Sequence, residues 1–128
     1  LFRSLGGRRI CSSAAFAGAS YMSGARVILV PTTIGAMIDT CILSRAELLL
    51  GSAKNSAGIN CQPSLILCDP ECIKTLPEEE YKSGLADALG IAVLNGHEML
   101  RLFEDDIAAN FDRIIELCIK FQAESITF

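Results

Sequence analysis

Tryptophan is absent from this 128-residue chain, histidine occurs once, and no uncharged apolar stretch is long enough to span a bilayer. The sequence therefore predicts no membrane helix. Cys-x-x-Cys pairs are also missing, and His97 lies 25 residues beyond the nearest preceding cysteine. That spacing does not suit a zinc finger. There are no internal repeats and no low-complexity linkers. Methionine does not open the chain, which begins at Leu1, and Ile126-Thr127-Phe128 ends it without a Gly or Pro stop. Both ends read as those of an internal piece of a longer frame.

Half of the residues are apolar, and six Phe and two Tyr are present, enough to bury a core. The six cysteines, at 11, 41, 61, 68, 72 and 118, lie mostly in apolar runs. Buried reduced thiols of a cytoplasmic protein have that character, so no structural disulfide is expected. Charge is uneven. Residues 1–60 carry six basic and two acidic side chains, and residues 61–128 carry five and thirteen. A basic first part suits phosphate-bearing ligands, and an acidic second part argues against nucleic acid, although it equally reads as a solvated face. Arg3, Arg8 and Arg9 before Ile10–Met22 have the outline of a targeting signal. Ser12, Ser13 and Ser20 interrupt it, and it reads equally well as a small-residue packing helix.

Gly6-Gly7 forms an opening turn. An Ala-rich helix is predicted over Ser12–Met22, closed by Gly24. Val27–Val30, stopped by Pro31, reads as a strand buried on both faces. Thr33 caps a short helix through Met37 and Ile38. Ser44-x-x-Glu47 has the form of a capping box ahead of Leu48–Leu50, which predicts another short helix. Leu65–Leu67 is a second strand, and Asp69-Pro70 turns the chain out of it. Thr75-Leu76-Pro77-Glu78 starts a helix running to about Leu94, before Asn95-Gly96. A last helix spans Ile107 to about Glu124, with Ile107, Phe111, Ile114, Ile115, Cys118 and Phe121 on one face. The fold class is α/β followed by all-α, the change falling near residue 75. Two strands make too small a parallel sheet, so the others are expected from the rest of the fold or from a partner subunit.

Several short pieces stand in register: Tyr21-Met22-Ser23-Gly24, Val30-Pro31-Thr32-Thr33, Asp39-Thr40-Cys41, Ala53-Lys54-Asn55, Gln62-Pro63, Asp69-Pro70, Thr75-Leu76-Pro77 and Ala86-Asp87. Together they resemble the 3-dehydroquinate synthase family over roughly residues 6 to 128. The resemblance implies that residues 1–74 are the C-terminal part of a Rossmann-like NAD-binding α/β domain. Residues 75–128 would begin the helical metal and substrate domain. It also implies the family reaction, in which a seven-carbon sugar-acid phosphate loses phosphate and cyclises to 3-dehydroquinate on the shikimate route. NAD and a divalent metal, zinc or cobalt, serve as cofactors.

By the same resemblance Thr32, Thr33, Asp39, Arg45, Lys54, Asn55 and the segment Cys72-Ile73-Lys74-Thr75 contact the cofactor, and Asp87 is the metal ligand. Simpler roles stand beside these: Thr33 as a helix cap, Lys54-Asn55 as exposed loop, 72–75 as a tight turn. Asp39 in an apolar stretch is costly unless paired, which favours a site. No catalytic residue is assigned. The departures are specific. Arg8 replaces the third glycine of the family's glycine-rich turn and Ser12 its Asp. Leu43-Ser44-Arg45-Ala46-Glu47 replaces a Gly-Gly-Lys-Thr-Gly loop. Ser23 replaces a substrate Arg, Asp87 a Glu, and Gly90 a Lys. His97 matches neither family metal His and reads as a surface or helix-start residue. The expectation is a cytoplasmic dehydroquinate-synthase homologue, inactive as this piece and either homodimeric or dependent on the rest of its fold. A non-catalytic structural remnant or another sugar-phosphate cyclase are the alternatives.

Overall fold

The computed structural model describes residues 1–126, apart from the side chains of residues 50 and 53–56. Strand β1 (Phe2–Gly6) leads through Gly7 into helix α1 (Arg8–Ser20), and β2 (Val27–Pro31) returns alongside β1. The pair is parallel, Phe2 facing Val27 and Gly6 facing Pro31. β5 (Leu65–Ile66) adds to the other edge of β2, giving a parallel sheet in the order β1-β2-β5. β1 was not evident from the sequence: Phe2–Gly6 has only Phe2 and Leu5 as strand-forming apolar residues. Backbone pairing with β2 holds it in place.

Helix α1 begins at Arg8 and ends at Ser20, one turn earlier at its start than predicted. Its inner stripe is Cys11, Ala15 and Gly18, small groups that let the helix lie close on the sheet. A Cβ on Gly18 would fall 2.3 Å from Val27 Cγ2. The predicted helix after Ser44 does not form. Arg45–Leu50 is strand β3, paired antiparallel with β4 (Ala53–Asn60) across Gly51-Ser52, where Gly51 has φ +63°. The apparent capping box is overridden because Ser12 on α1 takes both backbone groups of Glu47. Its Oγ accepts from Glu47 N at 2.9 Å and donates to Glu47 O at 2.6 Å. Ala46 is thereby buried between hairpin and helix.

The helical part comprises α2 (Glu78–Asn95), α3 (His97–Glu104) and α4 (Ile107–Ile126). Gly96, at φ +103°, separates the first two, and His97 opens α3 on the surface. The short α3 was not anticipated. Asp106 caps α4, its Oδ1 accepting from Ala108 N at 3.0 Å. The face predicted for α4 points inward: Phe111, Ile114, Ile115 and Cys118 are buried, with Ile107 and Phe121 packed at the margin.

Two cores meet at one segment. Ile34, Met37 and Ile38 pack with α2, α3 and α4, while Ala36 and Cys41 pack with α1, β2 and Ala46. The π-helical turn Ala36–Thr40 thus joins the α/β layer to the helical layer. Among the described residues, no helix is long and apolar enough to cross a membrane.

Candidate functional site

The parallel register sets Gly6 beside Pro31, so both strands end at the same level. Thr32 N donates to Gly6 O at 2.9 Å and extends that alignment. Gly7 and Thr33 then stand side by side; a Cβ on Gly7 would lie 3.1 Å from Thr33 Cγ2. Open parallel sheets bind ligands at this end of their strands. A cleft of about 890 Å³ occupies it. Gly6, Gly7, Arg8, Arg9, Thr32, Thr33 and Gly35 form one wall, and Leu76 with Glu80, Ser83, Gly84 and Asp87 of α2 forms the other.

The electrostatics of the floor follow from α1. Gly7 is its N-cap without a side-chain partner, no acidic residue lies in its first turn, and Arg8 and Arg9 open it. The helix dipole and the arginines have the same sign, favouring an anionic group. Arg8 Nη2 forms an ion pair with Asp87 Oδ2 of α2 across the cleft. The guanidinium lies over Gly35, where a Cβ would meet Nη2 at 2.2 Å and Cζ at 2.7 Å. Asp39 is within electrostatic reach of this pair, its Oδ1 accepting from Gln122 Nε2 at 3.5 Å. Burial pushes the Asp39 carboxyl above its ordinary value, Arg8 draws it back down, and Asp87 adds to the rise.

Thr32, Thr33 and Asp87 therefore share the cleft, with Asp39 adjoining it electrostatically. Thr33 also performs the simpler role, its Oγ1 accepting from Ala36 N at 3.3 Å. Arg45 does not reach the cleft. It sits on the exposed side of β3, paired with Glu47 Oε1 at 3.0 Å, because the hairpin turns it outward. Cys72, Ile73, Lys74 and Thr75 lie in a 3₁₀ turn (Pro70–Thr75). Ile73 and Lys74 line a separate hollow of about 590 Å³ with Tyr81, Phe111 and Asp112. Lys74 is held by Glu71 at 2.5 Å, and Thr75 Oγ1 donates to Cys72 O at 3.4 Å. The side chains of Lys54 and Asn55 lie outside the described residues.

By sequence Arg8 reads as a lost glycine and as part of a basic cluster with Arg3 and Arg9, and Glu80, Ser83 and Gly84 carry no assignment. The available signal was spacing, since positions 80, 83, 84 and 87 share one helical face. As a metal centre the site fits poorly. Among the described residues no group of three His, Cys, Asp or Glu side chains converges, and the Asp87 carboxylate is already paired. As an anion and nucleotide cleft it fits well: amide donors, hydroxyls and two arginines face one opening.

The fold is α/β, with the ligand end of its parallel sheet covered by a helical layer. Residues 1–83 match the family model for the 3-dehydroquinate synthase N-terminal domain. A 3-dehydroquinate synthase of Prochlorococcus marinus is 35% identical over 126 residues, covering 98% of this chain and 34% of that protein. One of Dehalococcoides mccartyi is 34% identical over 113 residues, covering 88% and 32%. The chain belongs to the 3-dehydroquinate synthase family, and it spans about a third of the length of these relatives. Its fold is that of the sugar-phosphate cyclases. A Streptomyces hygroscopicus 2-epi-5-epi-valiolone synthase with NAD+ and Zn2+ bound superposes with TM-score 0.86 at 24% identity, over 95% of this chain and 36% of that one. A 2-deoxy-scyllo-inosose synthase complexed with carbaglucose-6-phosphate, NAD+ and Co2+ gives 0.85 at 22%, with the same coverage.

Proposed function

We propose that this chain is the cofactor-cleft portion of a 3-dehydroquinate synthase, which binds NAD and does not turn over by itself. One observation carries the reading. The carboxyl ends of β1 and β2, the uncapped start of α1 and the Thr32-Thr33 pair all open into a single cleft. The α1 amides with Arg9 would hold the pyrophosphate, and the Thr32 and Thr33 hydroxyls would orient the adjoining part of the dinucleotide. When bound, NAD+ would supply reversible hydride transfer, taking a hydride from the carbon that bears a ring hydroxyl of the sugar-acid phosphate and returning it to the same carbon later. The chain's own part is to bind and orient: α2 covers the cleft and restricts water, while Arg8 and Arg9 favour a phosphorylated ligand. Six free thiols suit a reducing cytoplasm.

The second reading, a non-catalytic remnant that keeps the shell of the fold, has one observation in its favour. Arg8 closes on Asp87 and removes the carboxylate from use. Calorimetric titration with NAD separates the two, run beside a phosphate-release assay on the seven-carbon sugar-acid phosphate with cobalt or zinc added. Saturable NAD binding that weakens in Thr33→Ala, with no phosphate released, is the expected result. No heat at millimolar NAD leaves the remnant reading, and phosphate release by this chain alone refutes the proposed inactivity.

A further inference from the structure

We infer that the Arg8 guanidinium takes the place of a divalent cation at Asp87, so that the cleft of this chain is metal-independent by construction. The inference deepens the reading of the same cleft, but it stands on the ion pair and not on NAD binding.

Three observations converge. First, Arg8 opens α1 at the ligand end of the sheet, and its Nη2 reaches Asp87 Oδ2 on α2, 79 residues away in sequence. The contact is a tertiary bridge between the two layers. Second, the chain makes room for it. The guanidinium lies flat on Gly35, where any side chain would meet Nε at 2.5 Å and Nη2 closer still. Gly35 itself has ordinary helical torsions, φ −62° and ψ −30°, so its missing side chain serves space and not backbone freedom. Third, Asp39 lies within electrostatic range of both Arg8 and Asp87, so two carboxylates share one positive charge. A guanidinium remains charged at every physiological pH and presents several donors in a plane, which suits a neighbouring carboxylate. A divalent ion approaching Asp87 meets that positive charge at close range, and among the described residues no group of three His, Cys, Asp or Glu side chains converges there to offset it.

Both partners are close to half exposed, so the pair adds little to stability. Its consequence is competition, and metal binding measures competition directly. Mn2+ is the probe, because it prefers oxygen donors and ignores the thiols elsewhere in the chain. Its paramagnetic resonance signal is followed without NAD. The native chain should show no saturable binding at millimolar Mn2+. Arg8→Ala should bind about tenfold tighter or more, and further substitution of Asp87→Asn should abolish that gain. Gly35→Ala, which keeps the charge but pushes the guanidinium aside, should change binding in the same direction and covers the case in which Arg8→Ala folds poorly. Native binding as tight as that of Arg8→Ala overturns the inference. So does an Arg8→Ala chain that takes up no Mn2+, or a gain that survives Asp87→Asn. NAD titration of the same samples reports on the cleft separately, so either result can fail without the other.

Discussion

Two glycines on one helix should respond in opposite directions to the same substitution. Gly84 and Gly90 both lie inside α2, six residues apart. Replacing either by Ala removes the backbone entropy cost of glycine in a helix, worth about 1 kcal/mol. At Gly90 nothing lies within 4 Å of the new Cβ, so Gly90→Ala should stabilise by about that full amount. At Gly84 the new Cβ would lie 2.5 Å from Ile34 Cβ and 3.2 Å from its Cδ1 and Cγ2. Ordinary carbon contacts need about 3.5–4.0 Å, so α2 must retreat by about 1 Å. Ile34 Cβ is branched, fixed next to the backbone and buried in the helical core, so it cannot swing away. Overpacking of this kind costs about 1–3 kcal/mol, which offsets or exceeds the helical gain. The two variants should differ by about 1–3 kcal/mol. At about 4 °C per kcal/mol for a chain of this size, their Tm values should separate by about 4–12 °C. Urea and thermal unfolding followed by circular dichroism read this. Gly84 also lines the cleft, so Gly84→Ala should weaken NAD binding while Gly90→Ala does not. Equal Tm values for the two variants would refute the close approach of α2 to Ile34.

Ser12→Ala should cost about 1–3 kcal/mol, because it removes the hydroxyl that joins both backbone groups of Glu47 to α1. Hydrogen exchange at the Glu47 amide should speed up, and unchanged protection would count against the contact. Stability should fall as pH rises above about 9, by up to about 1.4 kcal/mol per pH unit for each thiol involved. The sign follows from Cys118, which burial pushes from 9.0 to about 12. Over that window the unfolded chain loses a proton that the folded chain keeps, so stability is complete below the lower value and lost on the way to the upper. Cys41, Cys61 and Cys68 are shifted the same way. Cys11 opposes them, lowered to about 7 by the Cys41 hydrogen bond, and adds stability between about 7 and 9. Urea midpoints for the native chain and Cys118→Ala at about pH 8 and about pH 10 measure it, the variant showing the smaller decline.

Strong local patterns were legible. Val27–Val30 forms a strand because its β-branched and aliphatic residues make an unbroken apolar run, with Val27 and Leu29 buried on one face and Ile28 and Val30 half-buried on the other. The stripe on α4 is buried where the helical period put it, and α2 stops where Gly96 adopts φ +103°. The misses are cases in which distant partners outweighed local preference. The capping-box reading of Ser44 to Glu47 was locally sound, but a hairpin partner and the Ser12 hydroxyl satisfied that backbone as a strand. β1 had almost no signal of its own and depends on β2. In the site, Thr32, Thr33 and Asp87 were reachable from motif register, whereas Arg45 moved away with the hairpin.

The resemblance with which the sequence announces itself, Val30-Pro31-Thr32-Thr33 onward to Ala86-Asp87, was enough to determine ancestry, the change from α/β to helical structure and the wall residues Thr32, Thr33 and Asp87. These depend on residue type and spacing along the chain. Which groups meet was decided only in three dimensions. Arg8 and Asp87 are 79 residues apart, and nothing local to either predicts the other. They touch because the 34–41 segment packs into both cores and carries the start of α1 up against α2, and because Gly35 leaves room for a guanidinium between them.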